Sequence, residues 1–468
     1  MIKRASGVLL PVFSLPGPYG CGTMGRYAEA FIDFLANAGQ RYWQILPLVP
    51  SGGGNSPYMS TSTFAGNCYF IDPESLFAAG WVTEGELHAA EYPDPDRVDY
   101  AFLADGRMAL LRAAWRRAQP TLTAELDAFR RKEQIWLDPY CTFVSREAKD
   151  PSEGDFHVFL QYLFFTQWAN LLDYAHEKNV KLIGDLPIYV SMHGADVLSD
   201  PTLFQLQKDG TPKNVAGVPP DAFTELGQLW GNPLYDWTGN QKGVFDWWAK
   251  RIAHTARLCD VVRIDHFRGF HTYWSVPADA EDARSGHWEK GPGQPLVECL
   301  KNAAPNLEII AEDLGNLDAD ALSFFAKTQL PGMKVLLYAF DPVGTSAYLP
   351  FNCQQNSIIY TGTHDAPTFL QWFNDEATPE ERQYAIDYLG LTLEEGIVWG
   401  AIRGAWASPS TLAMTTMEDV LSLGADARMN LPGTVGPNNW SWRVRAEACN
   451  DNVAKKLAKL THIYRREG

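Results

Sequence analysis

The sequence predicts an α/β protein whose core is a (β/α)8 barrel of the TIM type, with inserted, mostly helical and loop subdomains over the C-terminal face. Short runs rich in β-branched and aromatic residues alternate with longer segments, as expected of a parallel sheet joined by crossover helices. About eight such runs occur along the 468 residues, and eight strands are what this barrel requires. Several runs end in acidic residues, which is typical of the active-site face of a barrel enzyme.

The candidate strands share a short apolar stretch bounded by polar or turn residues. In chain order they are residues 7–14, 41–47, 181–188, 261–266, 307–313, 334–340, 357–365 and 411–416. Apolar residues at helical spacing predict a helix over residues 28–38, which Gly39 would end, and another over residues 159–178. Each of these helices would be a connection of ordinary length between two barrel strands.

The whole chain, residues 1–468, is predicted to be a single catalytic barrel domain with three insertions. The first, about residues 51–155, opens with a glycine-rich loop and continues into amphipathic stretches that favour a helical subdomain. The second, residues 191–245, is predicted to be mostly loop, and its Trp, Phe and Pro content favours ordered lids over disorder. The third, about residues 374–410, is predicted to be helical.

The overall charge excludes some classes of partner. The formal net charge is -17, and no long Lys/Arg run interrupts the acidic background, so we expect neither a nucleic-acid nor an anionic-membrane partner. A neutral substrate fits better. No apolar run approaches the roughly 18 residues of a membrane helix, and no leader-like segment opens the chain. The seven scattered cysteines lack Cys-x-x-Cys spacing, which predicts reduced thiols and a cytoplasmic location.

Three of the predicted strands end in acidic residues. Asp265 follows one strand, Glu312 follows another, and Asp365 comes after His364 at the end of a third. Because the strands of a barrel all point the same way, these ends converge on one site. Three carboxylates could instead bind a divalent metal. However, Arg263 and His364 bring competing cationic or donor groups, and no His-Glu-x-x-His spacing occurs, so we expect no metal and no cofactor.

Cleavage of a glycosidic bond is the chemistry that such carboxylates would serve. A retaining mechanism needs an ionised nucleophile and a protonated acid about 5–5.5 Å apart. Arg263 would keep Asp265 ionised, while the repulsion of Asp265 and Asp365 would hold a proton on Glu312. Asp313 points to the opposite face of an ideal strand and is interpreted as structural.

Short motifs at the strand ends and in the long loops occur in one order along nearly the whole chain. They include Ala38-Gly-Gln-Arg-Tyr-Trp-Gln44, Asn55-Ser-Pro-Tyr58, Gly184-Asp-Leu-Pro-Ile-Tyr189, Gly217-Val-Pro-Pro-Asp221, Gly227-Gln-Leu-Trp-Gly-Asn-Pro233, Val262-Arg-Ile-Asp-His-Phe-Arg-Gly269, Ala311-Glu-Asp-Leu-Gly315, Thr361-Gly-Thr-His-Asp365 and Ala427-Arg-Met-Asn-Leu-Pro-Gly433. Together they resemble the motifs of the amylomaltase, or 4-α-glucanotransferase (disproportionating enzyme), family.

The resemblance implies a retaining α-glucan transferase of the α-amylase-like barrel group. It implies that Asp265 is the nucleophile, Glu312 the acid/base and Asp365 the transition-state stabiliser. It also implies substrate contacts at Tyr58, Asp185, Asp221, Gln228, Trp230, Arg263, His266, His364 and Asn439. The implied donors are malto-oligosaccharides and glucans derived from starch or glycogen, and glucose is an implied acceptor.

Two other functions stay open on the residues alone. An α-amylase-type hydrolase would use the same acids with poor acceptor binding, and a catalytically silent protein would only bind glucan. The chain also departs from the family pattern after Asp365, where Ala366 and Pro367 replace the more common Asn-Asp pair. This departure bears on acceptor preference more than on the chemical step.

Structural interpretations also stay open for individual residues. Arg263 and Asp265 could form an ion pair whose only role is at the end of a strand. Asp185 could be a turn residue, Trp230 could anchor its loop in the core, and Tyr58 could pack under the glycine-rich turn.

Overall fold

The structure is a computed structural model and describes residues 2–220, 224–315, 317–344 and 346–468. Within these ranges eight parallel strands form a closed barrel, in which each strand pairs with the next along the chain and the eighth pairs with the first. In chain order, the strands are Ala5–Leu9, Tyr42–Gln44, Lys181–Leu186, Val261–Ile264, Glu308–Ala311, Gly332–Val335, Ser357–Tyr360 and Leu412–Thr416. The prediction of a (β/α)8 barrel is confirmed.

Each of the eight runs overlaps a barrel strand, but several predicted boundaries are wrong. The first strand ends at Leu9, and Val12–Ser14 forms a 3-10 helix where the sequence predicted strand. The sixth strand ends at Val335 and is followed by the 3-10 helix Leu336–Tyr338. All residues of the first 3-10 helix are buried, and so are Leu336 and Leu337 in the second. The apolar residues therefore continue beyond the end of each strand because the chain stays buried there, not because strand pairing continues.

Both predicted helices are present, and they begin earlier than expected. The first is Arg26–Asn37, and Gly39 follows it at a φ of 69°, a left-handed conformation that glycine adopts without strain. The second is Ser152–Glu177, and it packs along the 41-residue helix Met108–Ala148. No helix in the described ranges is both long and apolar enough to cross a membrane.

The remaining helices lie between the barrel strands or follow the eighth strand. The segment between the second and third strands contains Met108–Ala148 and Ser152–Glu177. It also contains Pro73–Ala78, Glu84–Ala89, Tyr100–Phe102 and the π-helix Leu103–Arg107. The others are Ala195–Ser199, Gln241–Thr255, Gln294–Ala303, Ala319–Thr328, Phe369–Gln371, the π-helix Trp372–Glu376, Pro379–Leu389, Ile397–Ala407, Met417–Val420 and Asp451–Ile463. The division into one domain with three insertions stays an interpretation.

A second sheet shows that the expectation of mostly loop over residues 191–245 is wrong for two segments. Gln228–Pro233 and Asn214–Val218 pair antiparallel, and the sheet continues through Thr272–Pro277 to His287–Lys290. These strands are short and carry Gly and Pro residues, which usually mark turns. The sheet lies after the third and fourth barrel strands in the chain, and one of its strands carries Gln228 and Trp230.

The barrel wall depends on close approach between neighbouring strands at Gly7. A Cβ atom at this position would lie 2.4 Å from the backbone oxygen of Tyr42 and 2.8 Å from the sulfur of Met414. Gly7 pairs with both residues, which belong to the strands on either side. Only glycine fits without moving a strand.

We therefore expect Gly7→Ala to lower the free energy of unfolding by about 1–3 kcal/mol, because the added methyl group forces two strands apart. The measurement is chemical denaturation. Gly424→Ala is the matched control, since a Cβ there meets nothing within 4 Å and the residue has a negative φ. Equal stability of the two variants would contradict the tight packing assigned to Gly7.

Candidate active site

A buried arginine joins two strands at the C-terminal end of the barrel. Arg263 in the fourth strand pairs in register with Asp185 in the third, which places their side chains side by side. The Arg263 Nη1 atom donates to both carboxylate oxygens of Asp185, at 2.9 and 2.8 Å. Its Nη2 atom lies 2.8 Å from Asp265 Oδ1. A single guanidinium, 4% exposed, therefore holds two carboxylates.

The third arginine nitrogen has an unusual partner. Arg263 Nε donates to the sulfur of Met333 at 3.4 Å, and the backbone N–H of Met333 donates to Asp313 Oδ1. Asp313 also lies 3.4 Å from the ammonium of Lys334. Asp313 thus anchors the sixth strand behind the site, and its interpretation as structural agrees with these contacts.

Glu312 occupies a different environment from Asp265. Its two carboxylate oxygens accept backbone N–H bonds from His266 at 2.7 Å and from Leu314 at 2.8 Å. Burial raises the pKa of Glu312 to about 7, with a smaller contribution from the charge of Asp265, while Arg263 opposes the shift. The sequence analysis assigned the raised pKa to repulsion from neighbouring acids, whereas burial is the larger cause. Near neutral pH this carboxyl can both give and take a proton.

The third acid is held from two sides. Asp365 Oδ2 lies 3.2 Å from His364 Nε2, and Asp365 Oδ1 accepts a hydrogen bond of 2.7 Å from the amide of Asn430. Enclosure raises the pKa of Asp365, but the charge and hydrogen bond of His364 and the hydrogen bond of Asn430 outweigh it, so the pKa falls below its ordinary value. Asp365 is therefore ionised at neutral pH, whereas Glu312 is only partly ionised there.

Tyr58 lies between Asp185 and His364 and contacts both. Its hydroxyl donates to Asp185 Oδ2 at 2.7 Å and lies 2.8 Å from His364 Nε2. Its ring stacks on the His364 ring at a centroid distance of 5.2 Å. Contacts thus run without a break from Asp265 through Arg263, Asp185, Tyr58 and His364 to Asp365. Side chains from four separate segments therefore meet in one site.

Three further predicted residues form one wall of this site. The indole nitrogen of Trp230 donates to Gln228 Oε1 at 3.1 Å, and the indole meets the His266 ring edge-on at 4.9 Å. His266 adopts a left-handed backbone conformation, with a φ of 47°, directly after Asp265. Burial lowers the pKa of His266 to about 4, so its ring is neutral at physiological pH. Contact of these residues with substrate stays a prediction.

The structure describes one of the two remaining predicted substrate contacts. The amide of Asn439 bonds within its own loop, since its oxygen accepts from the Leu431 N–H and its nitrogen donates to the Thr434 backbone oxygen. It shapes the loop that carries Trp440, whose ring lies 5.7 Å from Tyr58 and 6.1 Å from His364. Asp221 lies outside the described residues.

Sequence analysis did not identify Asn430, Trp440 or Met333 as site residues. Asn430 belongs to the motif Ala427–Gly433 and Met333 to Pro331-Gly-Met-Lys334, which also resembles a motif of the family, but neither residue has a spacing that points to chemistry. Their roles depend on which strand ends and loops meet in three dimensions. Within the described ranges, no group of three or more His, Cys, Asp or Glu residues is arranged to hold a metal ion.

The chain is similar to known proteins over nearly its whole length. The family model described as 4-alpha-glucanotransferase matches residues 10–152 and 144–448. The 4-alpha-glucanotransferase of Clostridium butyricum is 42% identical over 97% of this chain and 99% of its own length. That of Thermus thermophilus is 40% identical over 99% of both chains. The structure of amylomaltase from Streptococcus agalactiae in complex with acarbose superposes with a TM-score of 0.95 at 38% identity, covering 99% of this chain and 100% of that one.

The arrangement around Arg263 leads to a prediction about stability. Arg263→Met would leave Asp185 buried without its cation, and we expect the free energy of unfolding at pH 7 to fall by about 3–5 kcal/mol. The pKa of Asp185, already raised by burial, would rise further in the folded variant. The folded variant would then bind more protons than its unfolded state. The loss in free energy of unfolding caused by the substitution should therefore become smaller as the pH falls.

Denaturation at several pH values measures this effect. The matched control is Arg445→Met, which breaks an ion pair between side chains that are 54% and 43% exposed, and should cost less than about 1 kcal/mol. A deficit for Arg263→Met that matches the control, or that grows as the pH falls, would contradict the ion-pair arrangement.

Proposed function

The chain belongs to the 4-alpha-glucanotransferase family and is a transferase that acts on α-glucans, and on this premise we propose how its three acids carry out the reaction. Asp265 is the nucleophile, Glu312 is the acid and then the base, and Asp365 stabilises the transition state. The observation that carries this assignment is the contrast between two neighbouring strand ends. Asp265 is paired with a buried guanidinium, whereas Glu312 has a pKa of about 7.

In the first step a carboxylate oxygen of Asp265 attacks the anomeric carbon of the donor glucan. The bond from that carbon to the glycosidic oxygen breaks, and the oxygen takes the proton of Glu312 as the leaving chain departs. A covalent glycosyl ester on Asp265 results. The ion pair with Arg263 holds the carboxylate of Asp265 in place before the attack.

In the second step the 4-hydroxyl of another glucan, or of glucose, attacks the same carbon. Glu312, now ionised, takes the hydroxyl proton, the new α-1,4 bond forms, and Asp265 is released. Two inversions give retention of configuration. Positive charge develops on the sugar ring in both steps, and the ionised carboxylate of Asp365 stabilises it. Asp185, Tyr58 and His364 form a hydrogen-bonded set that would bind ring hydroxyl groups.

Transfer in preference to hydrolysis requires that a bound sugar compete with water for the intermediate. Two loops support this part of the proposal. The turn Gly53–Asn55 meets the loop after the eighth strand, because a Cβ on Gly54 would lie 3.1 Å from a methyl group of Val435. The two loops would enclose the intermediate and orient the acceptor. The strand that carries Gln228 and Trp230 would form the opposite side.

We further propose malto-oligosaccharides and starch- or glycogen-derived glucans as donors, with a role in carbohydrate metabolism. We propose a cytoplasmic location as well. Among the described residues, which include all seven cysteines, none is paired in a disulfide. Free thiols are typical of a reducing compartment. Neither cofactor nor metal enters this proposal, since Glu312 supplies the proton transfers and Asp265 supplies the nucleophile.

The product profile from maltotriose tests the proposed function. A transferase yields glucose and longer glucans with no net gain in reducing ends, whereas a hydrolase increases the number of reducing ends. We expect Asp265→Asn to reduce the rate by several orders of magnitude while glucan binding remains. Asp260→Asn is a matched control at the other end of the same strand, where Asp260 contacts His176 and the Leu182 N–H, and it should remain active.

Two results would contradict the assignment. One is near-normal turnover by Asp265→Asn, which would exclude Asp265 as the nucleophile. The other is loss of glucan binding together with activity in that variant, since the isosteric amide should preserve the shape of the site. A rise in reducing ends by the unaltered protein would instead favour the hydrolase.

The pKa of Glu312 predicts the dependence of the rate on pH. The first step needs the protonated acid, and raising the pH removes that proton, so kcat/KM should decline as the pH rises through about 7. The measurement is a pH profile with maltotriose at low concentration. Glu312→Gln should remove most of the activity and abolish the decline in what remains. A profile of the unaltered protein that stays flat well above neutral pH would contradict this role for Glu312.

A further inference from the structure

Asn430 lies in the loop after the eighth barrel strand, and its amide reaches the third acid. The distance from Asn430 Nδ2 to Asp365 Oδ1 is 2.7 Å, and Asn430 is only 8% exposed. The two residues are separated by 65 positions in the chain. Ala366 and Pro367, which follow Asp365, have no side-chain donor, so the amide that meets Oδ1 comes from this distant loop.

The two oxygens of Asp365 have different partners, and both are needed to fix the carboxylate. Oδ2 faces His364 Nε2 at 3.2 Å, but that nitrogen also lies 2.8 Å from the Tyr58 hydroxyl. His364 therefore divides its donor between two acceptors. The amide of Asn430 gives Oδ1 a shorter contact, and two contacts on opposite oxygens stop the carboxylate from rotating.

Arg428 holds Asn430 in place. Its Nε atom donates to the backbone oxygen of Asn430 at 2.9 Å, and its Nη1 atom lies 3.1 Å from Glu376 Oε1. Its Nη2 atom reaches the backbone oxygen of Asp365 at 3.5 Å. The backbone N–H of Trp440 donates to the backbone oxygen of Met429, next to Asn430, at 2.8 Å. The loop is thus tied at several points to the segment that carries Asp365.

We propose that Asn430 is a positioning residue for the transferase reaction: its amide orients the carboxylate of Asp365 toward the sugar ring, and Arg428 holds Asn430 in place. The inference rests on the proposed function and deepens it. Without this donor, Asp365 keeps its charge but loses one of the two contacts that fix the orientation of its carboxylate. Stabilisation of the transition state depends on the orientation of this carboxylate more than binding of the ground state does.

The test compares Asn430→Ala with Asn356→Ala. Asn356 precedes the seventh strand, at the opposite end from Asp365, and its amide likewise makes one hydrogen bond, to the backbone oxygen of Gln329. We expect Asn430→Ala to lower kcat by about a hundredfold, the cost of a misplaced catalytic group, with KM changed by less than about threefold. Asn356→Ala should change neither. Arg428→Gln should lower kcat in the same way and by less.

A pH profile separates positioning from general damage to the fold. His364, Arg263, Arg428 and the hydroxyl of Tyr58 surround Asp365 and remain in the Asn430→Ala variant. Loss of the amide removes one group that favours the ionised acid, so the acid limb of kcat should move to higher pH. A fold defect would lower the rate equally at every pH. Asn430→Asp should lower kcat further, because it places a second carboxylate against Asp365.

The outcomes distinguish this inference from the proposed function. If Asp265→Asn is inactive but Asn430→Ala retains kcat within about twofold, with an unchanged acid limb, the positioning role is wrong and the nucleophile stands. If Asp265→Asn is active, the proposed function itself fails. A uniform loss of rate in Asn430→Ala at all pH values, accompanied by a lower melting temperature than that of Asn356→Ala, would also overturn the positioning role.

Discussion

The site depends on one buried cation. The guanidinium of Arg263 is enclosed by the barrel, and a charge in that position is tolerated only if partners surround it. Asp185 and Asp265 are those partners, and they come from the third strand and from the end of the fourth. The register between these strands aligns Asp185 with Arg263, so the pairing of the two strands brings the ion pair together.

Different surroundings give chemically similar acids different tasks. Asp265 faces a fixed positive charge. Glu312 faces two backbone N–H groups inside an enclosure that disfavours its charge, although Arg263 is near enough to limit the effect. Asp365 has a histidine on one oxygen and an amide on the other. An acid that can exchange its proton near neutral pH thus shares the site with one carboxylate that is paired with a buried guanidinium and another whose contacts favour the charged form.

Much of this could be predicted from the sequence, because the information is local. The β-branched run that ends at Asp265 predicts a buried strand, and the parallel direction of barrel strands predicts that Glu312 and Asp365 lie at the same face. The second sheet could not be predicted in this way, since its strands pair with segments far along the chain and contain the residues that usually mark turns.

Asn430 illustrates the limit at the level of a single side chain. Nothing in its neighbours distinguishes it from Asn439 a few residues later, yet one amide meets a catalytic carboxylate and the other bonds within its own loop. The difference is set by where the loop after the eighth strand crosses the end of the seventh. Similarly, the burial that raises the pKa of Glu312 is a property of the assembled barrel, whereas sequence reasoning could consider only the neighbouring charges.

The central claim is that Asp265 carries the sugar between the two steps, and trapping the intermediate tests it most directly. A maltosyl fluoride of α configuration needs no acid to release its leaving group, and Glu312→Gln lacks the base for the second step, so the ester should accumulate. Mass spectrometry of the digested protein should find one maltosyl group on the peptide that contains Asp265. Release of fluoride with no adduct, or with an adduct on another residue, would contradict the account.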